Sequence, residues 1–351
     1  MDNLSRSISL NKKRFITLLV LSILLIILFF ASIFIGSSHI SFIEGLQGLF
    51  GIGDETNIII VQNIRLPRII AAVLVGVALS ISGVIMQTMS NNVMASPSTL
   101  GVSNAAVLGA NVAIIIIGGG VIAFNGGNIT ITNPYLTSGM AFIFALMGIM
   151  LVLGLSRINK FNNATTVLLG ITFGTFCTGI TTLLQYFASD TTLATAVYWS
   201  FGDLGRANYV DDLIILVVTA LSFIFFLVFA YRYNAILLGE DTSSTLGINL
   251  NTFRFISLLL ASLLTAVCVS LVGIIGFIGL IIPQVVRKIV GNDHRYLLIG
   301  SALLGAVVLL FSDIISRILL SGFSLPVGAI TSILGAPVFI AILLIGRKKH
   351  A

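Results

Sequence analysis

The sequence predicts an all-α integral membrane protein of about ten transmembrane helices, with both termini on the cytoplasmic side. Three observations carry that prediction. The 351 residues are 57% hydrophobic and 9% charged, with a mean hydropathy of +1.13. A soluble domain needs roughly a quarter of its residues charged, so lipid must be the main solvent. The apolar runs are continuous, without the alternation that marks a membrane barrel. Finally, the basic residues fall at one side of a ten-span layout.

The spans are predicted, in order, at 15–36, 66–90, 100–122, 136–156, 164–188, 210–231, 253–274, 277–290, 294–319 and 326–346. The first follows a basic start, but its apolar run is longer than a signal-peptide core and long enough to cross a bilayer. The seventh and eighth run together through GIIGFIGLIIP, where the glycines and Pro283 are expected to break the helix. Merging these two gives the alternative count of nine. The domain reading is a cytoplasmic tail at 1–14, a single transmembrane domain at 15–346 with a cytoplasmic segment at 236–252, and a tail at 347–351.

Orientation follows from charge. With Lys12, Lys13 and Arg14 inside, ten spans return Arg347, Lys348 and Lys349 inside. Arg6, Arg157, Lys160, Arg232, Arg254, Arg287, Lys288 and Arg295 join them. Cytoplasmic flanks carry such an excess. Four basic residues face out: Arg65, Arg68, Arg206 and Arg317. The net charge of +6 therefore marks topology, not nucleic-acid binding. Cys177 and Cys268 lie inside apolar segments, without metal or disulfide spacing, and read as packing residues.

Arg65 and Arg68 are three apart and share a helical face; Pro67 between them suits a helix's first turn. Snorkelling to the interface is one role. The other is docking of an acidic partner, to which the guanidinium fork is suited. Arg317 is a third candidate, and Asp313, one turn before it, is an alternative internal partner. The long polar stretch at 236–255 has apolar members Leu238, Leu246, Ile248 and Leu250, and reads as a surface presented to a cytoplasmic partner. The uncharged 90–110 stretch reads as packed within the protein or lining a path. Candidate path or gate residues are Gln87, Asn91, Asn92, Ser96, Pro97, Thr165 and Thr166.

Nothing converges on catalysis. His39, His294 and His350 are scattered, and no zinc-protease, nucleophile-elbow or phosphate-loop motif occurs. Asp313 is the one clear carboxylate at mid-to-outer span depth, so an ion-coupled secondary transporter, which needs paired intramembrane groups, is the weaker alternative. LVGVALSISGVIMQ (74–87) faintly echoes LVGIIGFIGLIIPQ (271–284), and their opposite directions would suit an inverted repeat.

Five stretches carry a family resemblance, in order: RLPR (65–68); GVALSISGVIMQ (76–87) with ASPSTLGVS (95–103); LGEDTSSTLGI (238–248); 276–317, beginning GFIGLIIPQ; and LPVGAITSILGAPVFIAIL (325–343). Together, from about Ser41 to Lys348, the chain resembles the iron-siderophore, haem and cobalamin permeases of bacterial ABC importers. The resemblance implies a type II ABC importer permease fold in the bacterial cytoplasmic membrane, dimerised with a second permease subunit around a translocation path. It implies two cytoplasmic ATPase subunits that use ATP and Mg²⁺, an extracytoplasmic binding protein, no cofactor on this chain and no enzymatic activity of its own. Arg65, Arg68 and Arg317 would meet the binding protein's acidic residues. Leu238, Gly239, Glu240, Asp241, Leu246 and Gly247 would couple to the ATPase. The substrate implied is most often a ferric siderophore, with haem or cobalamin the alternatives. The chain departs from the family at Asn92–Val93–Met94–Ala95, at Gln284 and at Ser243 or Ser244, positions that bear on subfamily and substrate.

Overall fold

The computed structural model describes residues 2–36, 41–118, 122–125, 128–131, 133–158, 163–239, 243, 245–320 and 324–347. Each of the ten predicted runs coincides with a helix, because in lipid a helix satisfies its backbone groups within one segment. α1 (Asp2–Phe34) already begins in the predicted tail. A short α2 (Phe42–Leu49), capped by Ser41 and Glu44, leads to α3 (Glu55–Ile59), a π turn (Ile60–Arg65) and α4 (Leu66–Met89). α5 (Val102–Asn111) continues through a second π turn to Ile116. A hairpin, β1 (Ile122–Asn125) with β2 (Asn128–Ile131), precedes α6 (Pro134–Ile158) and α7 (Asn163–Tyr186).

Next come α8 (Asp190–Ser200), α9 (Tyr209–Val228) and α10 (Ala230–Leu237). The last four helices are α11 (Leu250–Val272), α12 (Ile278–Val290), α13 (His294–Ile318) and α14 (Val327–Arg347). Seven helical segments among the described residues have the length and hydropathy to cross a membrane; Val102–Ile116 and Val327–Ile342 are apolar but shorter, and α12 has 13 residues.

The break between the seventh and eighth runs is real, but Pro283 does not make it. α11 stops at Gly273, whose φ of +80° suits glycine, and Phe277 takes a left-handed φ of +67° before α12 begins. Pro283 sits inside α12. Its missing N–H would have met the Gly279 carbonyl, and that carbonyl packs directly against Gly83 of α4.

α4 is the central helix. Most of its side chains are buried, whereas few of those of α1 are. Small residues let neighbours approach its backbone closely. A Cβ on Gly83 would collide with the Gly279 carbonyl of α12, and one on Gly76 with the Gly305 backbone of α13. The two echoing stretches thus lie against each other. Their glutamines reach across: Gln87 Nε2 donates to the Leu280 carbonyl at 3.0 Å, and Gln284 Nε2 to the Val93 carbonyl at 2.6 Å. Cys177 and Cys268 are buried free thiols.

The two ends of the bundle differ in charge chemistry. At one end Arg14 donates to the Val290 carbonyl at 2.8 Å and lies over Tyr296, while Arg232 and Arg295 stack on Phe229 and Tyr231. At the other, the C-terminal ends of α1 and α13 meet the start of α4.

Candidate functional site

That second end holds the arginines singled out in the sequence. The π turn before α4 is widened so that the Leu66 N–H donates to Val61, five residues back. Arg65 closes this turn. Its Nη1 donates to the carbonyls of Ile33, at 2.6 Å, and Phe34, at 3.1 Å, capping the end of α1. Arg68, at the third position of α4, donates from Nε to Asp313 Oδ1 at 2.7 Å and from Nη2 to Ser316 at 3.2 Å. Asp203 lies 3.9 Å from the same guanidinium.

Arg317, in the last turn of α13, lies with Nη2 3.0 Å from Asp313 Oδ2, a charge contact without hydrogen-bond alignment. It also donates to the carbonyls of Ser32 and Ile35, at 3.1 and 2.8 Å, and to the Ser32 hydroxyl. Asp313 itself is fully buried. One carboxylate thus serves two guanidiniums, and a cation at a helix C-terminus gains from the helix dipole.

The sequence places Arg65, Arg68 and Arg317 on a partner-facing surface. Within the chain they are 4%, 7% and 6% exposed and each has internal acceptors. A guanidinium near hydrocarbon depth requires such satisfaction. The alternative reading, an Asp313–Arg317 pair, is formed. Arg206, the fourth outward arginine, donates to the carbonyls of Tyr198 and Trp199 and stacks on Tyr198; its burial pushes its pKa down from the ordinary value.

Two carboxylates at this end escape the sequence reading. Asp211 and Asp212, in the first turn of α9, are 6% and 4% exposed. Asp313, the one clear carboxylate at that depth in the sequence, therefore has company. Asp211 completes a capping box with Asn208, whereas both Asp212 oxygens lack a hydrogen-bond partner among the described residues. Acidic residues at a helix start read as caps in sequence, and only packing reveals that these are buried.

The predicted coupling residues lie at the opposite end, past α10. Glu240 and Asp241 fall outside the described residues. Among their described neighbours, the Ser243 N–H and hydroxyl donate to the Gly239 carbonyl, and the Ile248 N–H to the Ser243 carbonyl. Leu238 and Leu246 are 75% and 65% exposed. Gly239 and Gly247 take φ of +122° and +73°.

The candidate path residues divide. Ser96 and Pro97 line a cavity of about 180 Å³ with Leu79, Thr265 and Phe277. Gln87 is buried beside Leu280. Asn91 and Asn92 form a turn, with Asn92 Oδ1 accepting from the Met94 N–H at 2.9 Å. Thr165 and Thr166 lie in α7, where the Thr166 hydroxyl meets Ser156 of α6; one turn further on, Gly170 of the same helix packs against Thr99 and Leu100. The 90–100 loop is therefore only partly packed: Val93 and Met94 are half exposed, Ala95 and Leu100 buried. Among the described residues no cluster of three His, Cys, Asp or Glu could hold a metal.

A family model described as the FecCD transport family matches residues 24–345. A chain from Methanocaldococcus jannaschii, assigned as an ABC transporter permease protein, is 43% identical over 330 residues, covering 93% of this chain and 94% of that one. The hemin transport system permease protein of Yersinia pestis is 36% identical over 289 residues, 82% of this chain and 84% of its own. The vitamin B12 import system permease protein of Yersinia enterocolitica is 35% identical over 289 residues, 82% and 83%. A solved inward-facing transporter assigned to the metal-chelate ABC type superimposes with a TM-score of 0.81 at 27% identity, over 93% of this chain and 98% of that one.

Proposed function

The chain belongs to the FecCD transport family, and from that premise we propose that it carries a ferric siderophore across the membrane in an ATP-driven importer. It is a multi-pass integral protein of the inner membrane, a permease of the metal-chelate, haem or vitamin B12 type of ABC importer. The observation that carries the permease reading is the extent of the family match, which spans the bundle from α1 to α14.

In this proposal the chain pairs with a second permease subunit, identical or similar, and both termini lie in the cytoplasm. An extracytoplasmic binding protein delivers the chelate to the end containing Arg65, Arg68 and Arg317. Each guanidinium can serve more than one acceptor, and the fork of an arginine suits the carboxylates of an acidic partner. Two cytoplasmic ATPase subunits, which hold the ATP and Mg²⁺, grip the 236–252 segment; exposed Leu238 and Leu246 supply its apolar contacts. Closure of the ATPases then moves one permease against the other as rigid bodies, opening the path to alternate sides. The chain binds no cofactor and hydrolyses nothing itself.

Haem or cobalamin is the second reading, supported by the two Yersinia relatives. Uptake by proteoliposomes of the full assembly, offered ferric siderophores, haem and cobalamin with cognate binding proteins, tests the choice. Preferential siderophore import supports the proposal; import of haem or cobalamin alone overturns it.

A further inference from the structure

A buried polar node lies at the end of the bundle opposite the arginines. His294, the first residue of α13, is fully buried. Its backbone N–H and its Nδ1 both meet Asn234 Oδ1 of α10, at 2.9 and 2.7 Å. Asn234 Nδ2 donates to Asp293 Oδ1 at 3.0 Å. A backbone N–H can only donate, so the Asn234 oxygen must be the acceptor, and His294 Nδ1 carries a proton.

The other ring nitrogen, Nε2, lies 2.8 Å from the Thr88 hydroxyl in the last turn of α4. The ring face stacks on Tyr233, centroids 5.5 Å apart, and the Tyr233 hydroxyl meets Ser257 of α11 at 2.8 Å. One imidazole therefore joins α4, α10 and α13, and through Tyr233 it reaches α11. Its position between two outlying elements is what gives the node meaning. Leu238, at the head of the exposed segment, is one helical turn beyond Asn234. Asn92, in the loop leading to Ser96 and Pro97, is four residues beyond Thr88, just past the end of α4. Both edges of the ring are hydrogen-bonded and one face is stacked, so α10 cannot tilt without pulling on α4 or breaking a buried bond.

We propose that His294 is a positioning residue that passes displacement of the 238–247 segment to the inner end of α4 and its 90–97 loop. This rests on the reading of that segment as the ATPase contact. The node acts as a strut: it sets how much of the ATPase stroke reaches the path.

The test uses the full assembly in proteoliposomes and reads ATP hydrolysed per chelate imported. Thr88→Val keeps the shape of the side chain and removes the hydroxyl. It is expected to raise that ratio roughly five-fold, the factor one hydrogen bond is worth, while assembly and hydrolysis continue. Thr88→Ser restores the hydroxyl and is expected to recover most of the coupling. His294→Gln should act in the same direction, and the double variant Thr88→Val with His294→Gln should add little to the worse single one. A Thr88→Val protein with the parental ratio, or a Thr88→Ser protein as uncoupled as Thr88→Val, overturns the proposal. Gly247→Val separates the two ideas, since its φ of +73° strains a β-branched residue. Uncoupling by Gly247→Val with none by Thr88→Val defeats the node alone. No effect of either defeats the segment reading as well.

Discussion

Arg68 Nε lies 2.7 Å from Asp313 Oδ1, although 245 residues separate them in the chain. Arg317 takes the other oxygen at 3.0 Å. This carboxylate fastens α4 to α13 at the end where α1 also terminates. Removing one member of a buried pair strands the opposite charge, at a cost of about 3–5 kcal/mol. Asp313→Asn should therefore lower the melting temperature of the detergent-solubilised protein sharply. Asp313→Glu keeps the charge and should lose less. Equal melting of the Asp313→Asn variant and the parent would contradict the fastening role.

The same geometry decides how docking is tested. Reversing Arg68 or Arg317 to glutamate would press a second carboxylate onto Asp313 and unfold the site. Arg65 contacts carbonyls, not Asp313, so Arg65→Gln removes one charge at a cost of about 1–3 kcal/mol. Capture of the permease by its binding protein should weaken at low salt, and the difference should shrink as salt rises. Undiminished capture by a folded Arg65→Gln protein would speak against this end as the docking face.

Close packing around α4 predicts a contrast between two glycines. Gly83→Ala drives a methyl into the Gly279 carbonyl, whereas a methyl at Gly139 of α6 would meet nothing within 4 Å. Gly83→Ala should cost at least about 1–3 kcal/mol through forced backbone shifts. Gly139→Ala should be neutral or slightly stabilising. Thermal melting of the two variants distinguishes them.

Asp293 gives a prediction in pH. Burial raises its carboxyl pKa, but hydrogen bonds from Arg295 and Asn234 outweigh this and hold it at about 2, below the ordinary 3.8. A depressed carboxyl stabilises the fold at pH above its unfolded value and loses that contribution as pH falls toward the folded one. Arg295 is half exposed, so screening keeps the contribution to about 1 kcal/mol or less. Asp293→Asn retains a helix cap. Its stability deficit should be present at pH 7 and should shrink below about pH 4.

Much of the helical layout was legible because apolar runs of bilayer length have one backbone solution in lipid. Helix breaks were less so: Gly273 was readable as a stop, but Pro283 sits within α12, where Gly83 packs over the carbonyl to which the proline has no N–H to donate. The Asp313–Arg317 pair was legible from its four-residue spacing. The Arg68–Asp313 and Thr88–His294 contacts were not, since nothing local marks partners 245 and 206 residues apart. For the same reason His294 read as one of three scattered histidines. The exposed Leu238 and Leu246 were visible as apolar members of a polar stretch, whereas burial of Asp211 and Asp212 depends on how α9 packs.

ATP-driven import is tested most directly by the energisation of uptake in proteoliposomes holding the permease, its ATPases and its binding protein. Chelate import is expected to require ATP and to survive an uncoupler. Import that continues without ATP and collapses when the uncoupler is added would contradict it.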